Sequence, residues 1–277
     1  MAEVKESAYD KLDILKKNLA ELGTIAVAYS GGVDSTFLIT VASDVLGDKA
    51  IAITSHDAGM PGNEFEKSAV FCKDRGIRQY VMETDPLQLE AYRNNHKDRC
   101  YHCKKYIFSN ITAAAAAHGI TNVAEGSNMD DLGDYRPGMK AIEEMGILSP
   151  LRDAGLYKAE IRQLSKEMGL PEWDKPAAAC LASRFAYGET ITKEKLRMVD
   201  EAESFLKEQG FRQSRVRVHG NIARIEVEPD DISRLVSEEL RNITYDRLKS
   251  LGFDYVTIDI RGYRMGSVNE TLQEAEK

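Results

Sequence analysis

The stretch TIAVAYSGGVDS, residues 24–35, decides the fold. Its first half, Thr24 to Tyr29, is a short apolar run of the kind found in a strand buried on both faces of a parallel sheet. Gly31 and Gly32 then allow a tight turn with no side chain in the way. Ser35 opens a helical segment, Thr36 to Leu46. Strand, glycine turn and helix start together make a phosphate cradle. Free backbone N–H groups point outward there, and the helix dipole favours negative charge.

A Walker A loop needs Gly-x-x-x-x-Gly-Lys followed by Ser or Thr. This loop carries no lysine and ends in Asp34-Ser35. A carboxylate beside phosphates makes sense with a cation between them, so Asp34 is a candidate Mg²⁺ ligand. Ser30 and Ser35 can donate hydroxyl hydrogen bonds to phosphate oxygens. An ordinary β–α turn is the plain alternative. Ser30-Gly31-Gly32-Val33-Asp34-Ser35 resembles the signature of the PP-loop ATP pyrophosphatases. That resemblance implies that the loop grips the β,γ-pyrophosphate of ATP. A substrate oxygen then attacks the α-phosphorus, giving an adenylated substrate and pyrophosphate.

Outward from the loop, strands and helices alternate. Ala50 to His56 reads as a second buried strand, and Arg78 to Glu83 and Asn122 to Glu125 as a third and a fourth strand. Helices are expected from Asn63, with Glu66 as its capping partner, to about Arg75, then over Cys103 to His118 and Lys158 to Met168. This pattern predicts an α/β fold with a doubly wound parallel sheet. Ligands in such sheets lie at the carboxyl ends of strands. The tips from Ser30, Ser55 and Gly126 onward are therefore expected around one crevice, bordered by Glu125-Gly126-Ser127. Composition changes near Ala186-Tyr187-Gly188. Beyond it a helix over Thr192 to Gln209 and strands Ser214 to His219, Ala223 to Glu228 and Tyr255 to Ile260 predict a second, smaller α/β domain. The expected division is residues 1–186 for ATP binding and 187–277 for substrate or oligomerisation.

The 277 residues, 43% hydrophobic, suffice for a core in one large or two modest domains. A formal net charge of −8 argues against a nucleic-acid partner, whose binding rests on a basic footprint. Leu12, Leu15, Leu19 and Leu22 are spaced as one face of an amphipathic helix, not as a signal peptide. No apolar run is long enough to span a bilayer, and a cytoplasmic protein without membrane contact is expected.

Four cysteines in a chain this long do not make a disulfide scaffold. Cys72 sits at helical spacing with Phe65 and Ala69 and reads as a small buried hydrophobe. Cys100 and Cys103 form Cys-x-x-Cys, which serves as a redox pair, half a zinc site or part of an iron–sulfur site. Cys180 is distant in sequence. If it meets the other two, three thiolates would hold a [4Fe–4S] cube and leave one iron open to exogenous sulfide. Zinc with His102, a redox pair and unrelated thiols stay open as alternatives.

Several further blocks occur in order: Asp134-Tyr135-Arg136-Pro137-Gly138, Ala179-Cys180, Ser183-Arg184-Phe185, Tyr187-Gly188, Arg215-Val216-Arg217 and Ala223-Arg224-Ile225-Glu226. With the loop, they resemble the LarE family of ATP-dependent sulfur transferases over nearly the whole chain. The family acts in synthesis of the nickel-pincer nucleotide cofactor of lactate racemase. It adenylates a carboxylate of pyridinium-3,5-biscarboxylic acid mononucleotide and inserts sulfur as a thiocarboxylate. In one branch the cysteine matching Cys180 gives up its own sulfur and becomes dehydroalanine. That branch lacks partners for Cys100 and Cys103. The resemblance here is to the branch in which three cysteines hold a [4Fe–4S] cluster and a cluster-bound sulfide is the sulfur source. It implies Cys180 as a ligand, ATP and Mg²⁺ as cofactors, a sulfide or sulfur donor as partner, and a homo-oligomer.

The match to the family also gives Lys104 a role, as a cation near the α-phosphate that stabilises charge during adenylation. A solvated helix-start lysine is its plain alternative. Arg184, Arg215 and Arg217 are candidates for a substrate-anion pocket, since arginine forks suit phosphate or carboxylate and residues two apart in a strand share a face. A solvated strand face is the alternative there. Asp130, Asp131 and Asp134 either bind Mg²⁺ or cap helices. Three other functions compete: a PP-loop tRNA thiolase, disfavoured by the net charge and the lack of zinc-ribbon cysteine pairs; a non-catalytic nucleotide or cluster carrier; and an amidotransferase synthetase, for which no glutaminase segment is recognisable.

Overall fold

The computed structural model describes residues 7–132, 137–171, 173–176, 179–264 and 266. Its contacts divide the chain into two units. The first comprises residues 1–57, 63–84 and 100–177, and the second residues 58–62, 85–99 and 178–277.

The first unit is built on four parallel strands: β1 (Ile25–Ala28), β2 (Ala50–His56), β3 (Arg78–Glu83) and β4 (Val123–Ala124), in the order β3-β2-β1-β4. Both faces are covered over β1, β2 and β4, as apolar strands require, whereas the edge strand β3 has no buried residue. On one face Ile25, Val27, Ala50 and Ala52 pack with α1 (Ala8–Leu22) and α2 (Val33–Leu46). On the other, Ala26, Ile51 and Ile53 meet Phe108, Ile111 and Ala115. The expected amino-terminal helix is α1. Leu15 and Leu19 are fully buried, and Ser7 and Asp10 form its capping box.

Three expectations for this unit need correction. The loop's helix α2 begins at Val33, earlier than Thr36, so Asp34 and Ser35 lie in its first turn. Helix α3 (Glu64–Asp74) starts where Asn63 predicts, but Asn63 makes no side-chain cap; its backbone (φ −95°, ψ 31°) is not the extended conformation that capping needs. After the short α4 (Glu90–Arg93), helix α5 runs from Arg99 to Ala117, so it starts one turn before Cys103 and takes in Cys100 as well. Tyr, His and Cys are indifferent helix formers, so local propensity hides this start. Helices α6 (Pro137–Glu144), α7 (Pro150–Asp153) and α8 (Lys158–Glu167) complete the unit.

In the second unit α9 (Lys193–Glu208) packs on a sheet of order β5-β6-β7. Strands β5 (Ser214–His219) and β6 (Ile222–Val227) are antiparallel, and β7 (Tyr255–Ile258) is parallel to β6. Helices α10 (Ile232–Leu235) and α11 (Glu238–Ser250) lie between the last two strands in sequence. Residues 58–62 and 85–99 also belong to this unit. Backbone bonds from Leu181 to Gly59, from Gly188 to Asn95 and from Ile191 to Arg93 tie the early segments into this unit. The Asn95 side chain adds bonds to the carbonyls of Phe185 and Ala186. No helix among the described residues is long and apolar enough to cross a membrane.

Candidate active site

Strand order reverses between β1 and β4 in the first unit, and a switch point of this kind opens a crevice at the carboxyl ends of the strands. The loop after β1 and the loop after β4 meet there. Gly126 approaches so closely that a Cβ on it would stand 3.0 Å from the Ser35 amide nitrogen and 3.2 Å from the Asp34 Cβ. Gly31 has φ +72°, which glycine adopts freely, with Glu64 of α3 packed against it. The cap of α2 is Gly32, which brings no side chain of its own, and its N–H reaches the Ser30 hydroxyl at 3.4 Å. First-turn N–H groups of a helix have no intrahelical partner and suit an anion. Ser30 and Ser35 share a hydroxyl contact of 3.1 Å, and the Ser35 hydroxyl reaches the Gly32 carbonyl at 3.2 Å. These bonds hold both hydroxyls at the loop.

Charge at the loop is balanced by two lysines far away in sequence. Lys158, the first residue of α8, pairs with Asp34. Asn128 donates to the same carboxylate at 3.3 Å, and Asp130 accepts the Lys158 backbone N–H at 2.6 Å. Lys175 pairs with the buried Glu64 and donates to the Gly31 carbonyl at 3.3 Å. Arg162 of α8 fixes the approach of that segment by donating to the carbonyls of Trp173 and Lys175. Glu125 is buried and accepts from the Ser127 amide and hydroxyl and from the Ser149 hydroxyl, which locks the second loop. Ser55 lies at the end of β2, sharing a hydrogen bond of 2.7 Å with Thr84. Gly126→Ala is expected to weaken nucleotide binding on the order of tenfold or more, because a small displacement at the reacting geometry is costly. Titration calorimetry beside a thermal melt checks it, and an unchanged affinity contradicts it.

On α5, Cys100 is exposed and Cys103 half-buried; three residues apart in a helix, they share a face. The stem of Lys104 lies against Gly138, where a Cβ would meet its Cδ at 2.9 Å, and its ammonium sits 5.9 Å from the Phe108 ring. Cys72 is buried, and burial pushes its thiol up to about 12, far from a thiolate. None of the four cysteines is in a disulfide. Among the described residues no group of three or more His, Cys, Asp or Glu stands ready to hold a metal ion. Asp130 and Asp131 do cap: the Asp131 carboxylate accepts the Asn128 amide. Asp134 lies outside the described residues.

In the second unit Cys180 is exposed at the start of a 3₁₀ turn, Leu181–Arg184, with the Tyr92 hydroxyl 3.6 Å from its sulfur. Arg184 is 2% exposed and forks onto Glu203, with both bonds at 2.8 Å. Its remaining nitrogen donates to the carbonyls of Ala179 and Cys180. Burial works against this charge and Glu203 outweighs it, leaving the guanidinium with a pKa above its ordinary value. Arg217 bonds Glu226, fully buried, and the Ser183 carbonyl. Arg184 and Arg217 therefore anchor the Cys180 turn, where the sequence placed an anion pocket; the internal carboxylates absorb their charge. Arg215 is different. It bonds the Ser214 carbonyl and lies over the Tyr263 ring, and burial beside Arg184 lowers its pKa.

No family model matches the chain. An uncharacterised protein of Synechocystis is 42% identical over 95% of this chain and 98% of its own length. The pyridinium-3,5-bisthiocarboxylic acid mononucleotide synthase of Lactiplantibacillus plantarum is 38% identical over 93% of each chain. A weaker match, 27% over 54% of this chain and 38% of the relative, is to the argininosuccinate synthase of Haloarcula marismortui.

Proposed function

We propose a function from one premise: this chain belongs to the LarE family, that of the pyridinium-3,5-bisthiocarboxylic acid mononucleotide synthase. It is an ATP-dependent sulfurtransferase. The reading is that it activates a carboxylate of a pyridinium biscarboxylic acid mononucleotide by adenylation and replaces a carboxylate oxygen by sulfur. The observation that carries it is the α2 amino terminus at the switch point, with Asp34 and Ser35 in its first turn and Gly126 packed against them.

The chemistry follows from charge. A carboxylate repels sulfide and has no leaving group. Attack of its oxygen on the α-phosphorus expels pyrophosphate and turns that oxygen into part of AMP, a good leaving group. First-turn N–H groups, Ser30 and Ser35 hold the departing pyrophosphate, and Asp34 fits a Mg²⁺ that keeps waters and phosphate oxygens as its other ligands. Lys104 supplies positive charge toward the α-phosphate, and Arg215 is the member of the arginine set suited to the substrate's phosphate.

Cys100 and Cys103 share one face of α5 and would supply two soft thiolates to a [4Fe–4S] cluster; Cys180 is the third ligand that the family resemblance implies. Cys72 does not fit, because burial keeps its thiol protonated. When bound, such a cluster would supply a carried sulfide. The protein's own part is to present three thiolates and to keep Cys180 on a turn fixed by Arg184. In this reading Cys180 is a ligand and keeps its sulfur. The test is pyrophosphate release under anaerobic conditions with the biscarboxylic acid mononucleotide. Release is expected to depend on that substrate, and the Cys180 peptide to keep its mass after turnover. Release without substrate, or Cys180 found as dehydroalanine, opposes the reading.

A further inference from the structure

We infer that Lys158 is an exchange cation of the phosphate site: its ammonium neutralises Asp34 when nucleotide is absent and moves onto the polyphosphate when Mg²⁺ takes Asp34. The loop itself carries no lysine. The structure brings one from 124 residues away, paired with the carboxylate that the motif assigns to the metal.

Three observations bear on this. Lys158 is the first residue of α8, where the helix dipole disfavours a cation, so the position works against helix stability unless its partners offset it. The partners are there: Asp34 takes the ammonium and Asp130 takes the backbone N–H. Both Lys158 and Asp34 are partly buried, with side chains 29% and 24% exposed, so the pair is screened less than a surface ion pair and still has room to separate. The amino termini of α2 and α8 both add positive potential at this point, and the carboxylates of Asp34 and Asp130 offset it. A polyphosphate bound there offers the Lys158 ammonium more negative charge than one carboxylate does. Asn128, which also donates to Asp34, keeps the carboxylate oriented while the lysine departs.

The inference rests on the nucleotide reading above and makes a claim with two opposite signs. Removing the ammonium frees Asp34 for metal, so Mg²⁺ alone binds tighter. It also removes a charge-assisted contact to phosphate, so magnesium pyrophosphate binds weaker. Calorimetric titration of wild type, Lys158→Met and Lys158→Arg with magnesium chloride alone, and then with pyrophosphate in excess Mg²⁺, reads both. In Lys158→Met the pyrophosphate affinity is expected to fall about tenfold or more, and the affinity for Mg²⁺ alone to rise. Lys158→Arg should restore most of the pyrophosphate affinity. Pyrophosphate affinity unchanged in Lys158→Met overturns the inference. So does a fall in both affinities, the signature of a lysine that only props the loop. If wild type fails to bind magnesium pyrophosphate, the nucleotide reading itself fails, a result separable from either of these.

Discussion

Asp34→Ala will abolish AMP and pyrophosphate formation, lowering turnover on the order of a hundredfold or more, with little loss of fold stability. The expected asymmetry comes from where the residue sits. Asp34 is in the first turn of α2, partly exposed, and among the described residues its carboxylate pairs with Lys158 and accepts from Asn128. An acidic group at that position contributes about 0.3–1 kcal/mol through the helix dipole, a small part of a domain's stability. Its part in adenylation is larger, because a metal on pyrophosphate has to neutralise charge as the α–β bond breaks. Asp34→Asn keeps the shape and loses the charge, and the same loss is expected. Turnover assays beside thermal melts decide it. Activity that survives in either variant removes Asp34 from the chemistry.

The second large effect concerns sulfur and not activation. Cys100→Ser and Cys103→Ser are each expected to eliminate thiocarboxylate product and to lower bound iron and labile sulfide severalfold. Substrate-dependent pyrophosphate release should persist within about threefold, since neither thiol belongs to the phosphate loop. The two cysteines share one face of α5, so losing either removes half of the ligand pair this helix offers. Cys72→Ala is the internal comparison. Its thiol is buried and held protonated, so the substitution costs only a small cavity, about 1 kcal/mol, and leaves iron content alone. If iron and product stay at wild-type levels in the Cys100 and Cys103 variants, those thiols have no part in sulfur delivery.

The fold was largely legible because β1, β2 and β5 are short apolar or alternating runs whose bounds coincide with burial. The strand, turn and helix of residues 25–46 were legible because they are contiguous in sequence. Reading failed where partners are distant. Nothing in the neighbourhood of Lys158 announces that it meets Asp34, and Lys175 gives no sign of Glu64. Strand alternation puts Arg215 and Arg217 on one face and shows no more than that. It does not show Glu226 beside Arg217, and nothing near Arg184 in sequence points to Glu203 on α9. The composition change near Tyr187 gives no sign that residues 58–62 and 85–99 belong with the second unit. Those segments are joined to it by backbone hydrogen bonds, which carry no side-chain signature.

The central claim is that a substrate carboxylate oxygen attacks the α-phosphorus of ATP at the α2 amino terminus. A single anaerobic turnover with the biscarboxylic acid mononucleotide labelled with heavy oxygen in its carboxylates tests this directly. The account predicts that one heavy oxygen appears in the phosphate of the released AMP. AMP formed without label would contradict it, since the attacking oxygen would then have come from water.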